Sequence, residues 1–265
     1  MSVSLRELLE AGVHFGHQTR RWNPKMRPYI YGQRNGVHII DLQRTALGLV
    51  EACRFLTNTV AHGHTVLFVG TKRSAQEIVA DEARRCGMFY ANNRWLGGTL
   101  TNFQTVRRSI ERLNQLERAR DEGRFELLSK KDALQAHREI EKADKSLGGI
   151  KNMRGLPGAL FIVDPKREYI ATREAVKLHI PVVALCDTNC DPAGIDYVIP
   201  GNDDAIKSIH LFTAAIADAC LQGASMSRSD GPIVTPEVDD RVEVVRRGTA
   251  EEFEGRDEEE EELEN

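Results

Sequence analysis

The chain has 265 residues, a formal net charge of −4, 41% hydrophobic residues and 29% charged ones. That length allows one large or two small domains, and the slightly low hydrophobic share implies that part of the chain builds no core. No apolar run is long enough to span a bilayer and no apolar leader segment opens the chain. The five cysteines (Cys53, Cys86, Cys186, Cys190 and Cys220) have no CxxC spacing, so a reduced cytosolic compartment is expected.

The net charge hides a split. From Met226 onward there are about 15 acidic and 5 basic residues, a net charge near −10, which leaves residues 1–225 near +6. The basic part is expected to fold. The acidic tail, 226–265, is rich in Pro, Gly and Glu and is expected to be disordered.

Ser4 to Ala11 predicts a short helix with Leu5, Leu8 and Leu9 on one face and Ser4 as its cap. Gly12 to Tyr31, GVHFGHQTRRWNPKMRPYIY, follows. It carries His14 and His17, the rings Phe15, Trp22, Tyr29 and Tyr31, and the cations Arg20, Arg21, Lys25 and Arg27. It shows no helical or alternating period, and Pro24 and Pro28 stop a helix, so 12–35 reads as a basic aromatic loop. Cations interleaved with rings suit an RNA surface, where guanidinium and ammonium groups meet phosphates and rings stack on bases. A surface loop pinned down by its rings explains the same composition.

Beyond it, Val37 to Asp41 is a short apolar run, and a helix is predicted from Gln43 to about Ala61, apolar at Leu47, Val50, Phe55 and Leu56. Thr65 to Gly70, Ala159 to Asp164 and Pro181 to Asp187 are continuous apolar runs, the mark of strands buried on both faces. Phe89 to Asn93 and Tyr197 to Pro200 are weaker strands. Helices are predicted for Ser74 to Gly87, Glu168 to Leu178 and Asp203 to Leu221, the last capped by Asp203. Strands alternating with helices in this way give a parallel doubly wound sheet.

Asn102 to Ser146 differs in composition. It is rich in Arg, Glu, Lys, Leu and Gln, with Val106, Ile110, Leu113, Leu116, Leu134 and Ile140 at helical spacing and a break at Asp121-Glu122-Gly123. It predicts a protruding helical hairpin with one narrow apolar seam. Glycine pairs at its root, Gly97-Gly98 and Gly148-Gly149, suggest tight packing there, and Thr99, Thr101 and Asn102 are candidate caps.

An open parallel sheet places ligands at the carboxyl ends of its strands. Gly70-Thr71-Lys72-Arg73-Ser74 could cradle a phosphate at a helix start, although no Walker or GxGxxG motif is present. Asp164, Asp187, Asp191, Asp203 and Asp204 lie at strand ends and in later loops. His17, Asp187 and Asp203 are a candidate set for a structural Mg or Zn ion, against the alternative of turn and cap chemistry. No Gly-x-Ser-x-Gly elbow or Cys/His pair suggests a nucleophile.

Five strings occur in a distinctive order: GVHFGHQTRRWNPKM, FVGTKR, NNRWLGGTLTNF, SLGGIKNM and DTNCDPAGIDYVIPGNDDAI. In them the chain resembles the bacterial small-subunit ribosomal protein S2 family, from about Leu5 to about Leu221. The resemblance implies an α/β domain bound to small-subunit rRNA between head and body, in the cytoplasmic ribosome. It also implies other small-subunit proteins as partners, a part in recruiting the OB-repeat ribosomal protein S-one for translation initiation, and no enzymatic activity, required cofactor, small-molecule substrate or membrane.

The expected fold is therefore a doubly wound parallel sheet flanked by helices, flavodoxin-like and three-layered. The globular domain takes 1–101 and 147–225, and the hairpin insertion takes 102–146. Charge and expected exposure select Arg20, Arg21, Trp22, Lys25, Arg27, Tyr31, Lys72, Arg73, Arg94, Arg107 and Arg108 as RNA-binding residues, through phosphate and shape readout. The competing classes are a small-molecule enzyme of the doubly wound type, with a shifted carboxylate or histidine in a deep pocket, and a free RNA-binding regulator.

Overall fold

The computed structural model describes residues 3–229. Helix α1 (Leu5–Glu10) opens with a reciprocal cap: the Glu7 N–H donates to Ser4 Oγ and the Ser4 N–H donates to Glu7 Oε2, at 3.2 and 2.8 Å. Its buried residue is Leu8, while Leu5 and Leu9 stay exposed.

The stretch without sequence periodicity is more ordered than a loop. It holds strand β1 (Phe15–Gln18), 3₁₀ turns at Thr19–Arg21 and Pro24–Tyr29, and strand β2 (Ile30–Arg34). With β3 (Val37–Ile40) these make an antiparallel sheet in the order β1-β3-β2. Asn35 and Gly36 join β2 to β3, both at positive φ (52° and 75°). Two such residues match the twist of a tight hairpin, and Asn-Gly tolerates them best.

Helix α2 (Leu42–Ala61) is capped by Asp41, whose Oδ1 accepts the Gln43 N–H at 2.9 Å. Its buried face is Leu49, Ala52, Leu56 and Val60. Leu47 and Val50, expected on the apolar stripe, are about 60% exposed instead (62% and 59%).

Then come β4 (Val66–Val69), α3 (Gln76–Arg85), β5 (Phe89–Ala91), α4 (Phe103–Asp121), α5 (Lys130–Leu147), β6 (Ala159–Val163), α6 (Tyr169–Lys177), β7 (Val182–Cys186), β8 (Tyr197–Pro200) and α7 (Ile206–Ser229). The five strands β4 to β8 form one parallel sheet in the order β5-β4-β6-β7-β8. Every residue of β4, β6 and β7 is buried, as continuous apolar runs require.

Alternate residues of these strands feed two cores. Phe68, Phe161, Val183 and Leu185 face α2, α3 and α7, where they meet Leu56, Val79, Phe212 and Ile216. Phe68 and Phe161 meet edge-on at 5.5 Å between ring centres. Leu67, Leu160, Ile162 and Ala184 face the other way, into a cluster with Ala171 and Ala175 of α6 and with Ile110, Leu113 and Ile140 of α4 and α5. Where α5 ends, Gly149 lies against β5: an added Cβ would fall 2.1 Å from the Tyr90 carbonyl oxygen.

Helix α7 starts later than expected and runs through Ser229, past Leu221. Asp203 is not its cap. Asn202 Oδ1 accepts the Asp204 and Ala205 N–H groups at 2.9 and 3.1 Å, while Asp203 turns inward. The first four residues assigned to the acidic tail thus belong to α7, and the rest of that expectation, 230–265, lies outside the described residues.

Candidate nucleic-acid interface

The basic aromatic segment is tied to the carboxyl ends of the parallel strands. The His17 N–H donates to Thr188 Oγ1 at 2.9 Å and the Asn23 N–H donates to the Thr188 carbonyl at 2.8 Å, just past β7. Asn202, past β8, donates its backbone and side-chain N–H groups to the Val13 and Gly12 carbonyls, both at 3.1 Å. Gly16 permits this approach, since a Cβ there would lie 2.6 Å from Thr188 Cγ2.

On this frame Arg20, Arg21, Trp22, Lys25, Arg27 and Tyr31 are all exposed, Tyr31 by 81%. Arg20 Nε donates to Gln18 Oε1 at 3.0 Å, and Lys25 pairs with Asp191 at 3.0 Å. Arg21 and Arg27 have no ion-pair partner among the described residues. Trp22 is steadied by His38, 5.2 Å away between ring centres. Arg73 and Arg94, in the β4–α3 and β5–α4 connections, are exposed and unpaired among the described residues. Arg107 and Arg108 sit in the opening turns of α4, Arg107 beside Glu111 at 3.4 Å.

Lys72 is placed differently from the other cations. Its ammonium is half-buried among Asp203 (2.7 Å), Asp204 and Asp164 (3.7 Å). Burial works against its charge, but those carboxylates win and hold the ammonium above its ordinary range. In the stretch Gly70–Ser74, which could cradle a phosphate, Glu168 Oε1 takes one of the backbone donors, the Thr71 N–H, at 2.9 Å.

Beside Lys72, His17 bridges Asp187 Oδ2 (2.9 Å from Nδ1) and Asp204 Oδ2 (3.4 Å from Nε2). The hydrogen bond that its Nδ1–H donates to the Asp187 carboxylate raises the imidazole above its ordinary value, against burial. The structure thus brings together the three candidate ligands His17, Asp187 and Asp203. Asp203 is raised to about 7 by burial, then by the charges of Asp164 and Asp187, with Lys72 opposing. Its Oδ2 is buried with no hydrogen-bond partner among the described residues.

Sequence reasoning does not mark two buried carboxylates, Glu168 and Glu174. Glu174 of α6 accepts the Trp95 indole N–H (3.1 Å) and the backbone N–H groups of Gly98, Leu100 and Thr101 (2.7, 2.9 and 3.0 Å). It therefore shapes the β5–α4 connection in place of the caps expected from Thr99, Thr101 and Asn102. Burial pushes its pKa up, but these donors outweigh burial and hold it below the ordinary range. Burial raises Glu168, and it prevails over the hydrogen bonds from Thr71 and the charge of Arg167. The Asn-Gly dipeptide was the signal available for the β2–β3 hairpin. No comparable signal marks a glutamate that becomes buried.

Residues 8–223 match the sequence profile of the family described as Ribosomal protein S2. The chain is 59% identical over 229 residues to the small ribosomal subunit protein uS2 of Sorangium cellulosum (strain So ce56), covering 86% of this chain and 82% of that one. It is also 59% identical over 222 residues to the protein of the same name from Geotalea uraniireducens (strain Rf4), covering 84% and 87%.

Proposed function

The chain belongs to the ribosomal protein S2 family, a structural constituent of the small ribosomal subunit and not an enzyme, and from that premise we propose that it binds small-subunit rRNA through Gly12–Tyr31. One observation carries this reading: seven ring and cation side chains, Phe15 among them, are exposed on a segment that hydrogen bonds fix to the ends of the parallel strands. Arg21 and Arg27 keep their charges free for phosphates. Arg73, Arg94, Arg107 and Arg108 add further phosphate contacts. Lys72 serves the same face indirectly, by neutralising the carboxylates under it. The site lies between head and body of the subunit, and the protein helps recruit the OB-repeat protein S-one. Both of these points rest on the family resemblance.

The domain is read as flavodoxin-like and three-layered, which the order β5-β4-β6-β7-β8 supports, since it is the order 2-1-3-4-5 of that class. Residues 102–146 are read as a protruding helical hairpin inserted between 1–101 and 147–225. They lie between β5 and β6 in the chain.

The test is sedimentation of tagged protein from a lysate. Wild type travels with the small subunit. A variant with Arg20, Arg21, Lys25 and Arg27 all changed to alanine stays at the top of the gradient with an unchanged circular dichroism spectrum. Wild type remaining free would overturn the assembly role and favour a free regulator. Normal incorporation of the variant would overturn the clamp.

A structural divalent ion at His17, Asp187 and Asp203 is a second reading, favoured by the unpartnered Asp203 Oδ2. One imidazole with carboxylates suits zinc better than magnesium. Elemental analysis of protein purified without chelator tests it. Less than about a tenth of an equivalent bound per chain, under the affinities usual for structural ions, would sink it.

A further inference from the structure

A cleft of about 590 Å³ opens outside the carboxyl ends of β6 and β7, between Trp22 and Tyr169. Open parallel sheets take their ligands in this place. We propose that the cleft holds an unstacked nucleotide of single-stranded RNA, an inference that rests on the RNA-binding reading above and adds a site to it.

Three features point to this ligand. The first is a pair of flat rings at the rim: Trp22 is 38% exposed and Tyr169 53%. The Arg173 guanidinium lies over one face of the Tyr169 ring, 5.6 Å from its centre, and steadies the ring on which a base can stack. The second feature is charge. Lys166 and Arg173 are exposed and have no ion-pair partner among the described residues. The one acid in the lining among the described residues, Asp191, is answered by Lys25 at 3.0 Å and by the Ala193 N–H at 2.9 Å. The cleft therefore keeps a positive excess for phosphate.

The third feature is donor chemistry. The amide oxygens of Asn23 and Asn189 are engaged, by the Lys25 N–H (3.0 Å) and the Cys190 thiol (3.4 Å). Their NH₂ groups make no hydrogen bond among the described residues, which leaves two donors for the acceptors on a base edge. An acidic peptide would use the cations and amides but leave the two rings without a stacking partner. A duplex would hold its bases stacked, out of reach of the cleft.

Quenching of Trp22 emission tests the proposal on the full chain, because the second tryptophan, Trp95, is buried. The probe is an adenosine hexaribonucleotide at low salt. Wild type should bind it with quenching. Tyr169→Ala should weaken binding roughly five- to a hundredfold, the loss of one stacking partner, and Tyr169→Phe should restore it. Lys166→Gln with Arg173→Gln should reduce the slope of log K against log salt by about 1.4.

Four outcomes would overturn the proposal. If Tyr169→Ala binds like wild type while Arg21→Ala with Arg27→Ala binds poorly, the cleft fails and the RNA reading stands. Adenosine monophosphate binding as tightly as the hexamer would make this a free-nucleotide site. A polyglutamate peptide quenching Trp22 equally would make it a peptide site. Absence of hexamer binding by protein that still sediments with the small subunit removes the cleft alone.

Discussion

The Glu174 carboxylate accepts the Trp95 indole N–H at 3.1 Å, joining α6 to the connection that leads into α4. Three backbone N–H groups of that connection meet the same carboxylate. Glu174→Ala should cost about 3 kcal/mol, because it leaves several buried donors unpaired. Trp95→Phe removes one bond and should cost about 1 to 2 kcal/mol through it. Urea unfolding of both single variants and the double variant measures the coupling, which should be far from zero. The pH dependence has a definite sign. Glu174 is more acidic in the folded chain than when unfolded, so its contribution is present above the ordinary glutamate range. It is lost as pH falls through the folded value. Glu174→Gln should flatten the acid limb of the stability profile.

Gly16 and Thr188 make the second prediction. Gly16→Ala should destabilise by about 1 to 3 kcal/mol, as overpacking does, because its Cβ meets Thr188 at 2.6 Å. Gly32→Ala, in the same small sheet with nothing within 4 Å, is the control and should stay within about 0.5 kcal/mol. Equal midpoints for the two variants in urea would show that the close approach carries no cost.

Lys72 and Asp203 test the strand-end cluster. Lys72→Met should cost about 3 to 5 kcal/mol, because it strands carboxylates that have lost their cation. Asp203 is less acidic when folded than unfolded, up to about 7. Its contribution is therefore complete below the ordinary aspartate range and is lost as pH rises from there to about 7. Thermal unfolding across that interval should show stability falling in wild type and less so in Asp203→Asn.

Arg21 and Arg27 carry unpaired charge beside the rings. Changing either to glutamine should weaken binding to an rRNA fragment and lower the salt slope by about 0.7 to 0.9 each. The loss should be similar across RNA sequences, because phosphate contacts carry no base code. A loss confined to one sequence would indicate base readout instead.

The strands of the parallel sheet were legible because burial on both faces leaves no room for polar residues, as in Ala159–Val163. Helix faces were less so. Nothing local tells that Leu49 faces the core and Leu47 the solvent, since the neighbouring elements decide it. The small sheet escaped notice because β1 has four residues and no alternation. Of the adjacent cap-competent residues Asn202 and Asp203, the one nearer Lys72 was drawn inward, and a sequence does not record that pull. The candidate ligands His17, Asp187 and Asp203 were chosen for their chemistry, and the structure places them within reach of one another.

The bond from His17 to Thr188 spans 171 positions of chain. Synthesis runs from the amino end, so the basic aromatic segment leaves the exit tunnel well before the strand ends it rests on have been made. At about 5–20 residues per second, that interval is roughly ten to thirty seconds. During it β1 has no floor, and the exposed rings and cations form a soft polycation beside the RNA of the ribosome that is making it. The segment thus acquires its fixed shape only after Thr188 has been made, and a nascent chain cut short before Thr188 would carry the charge without the geometry.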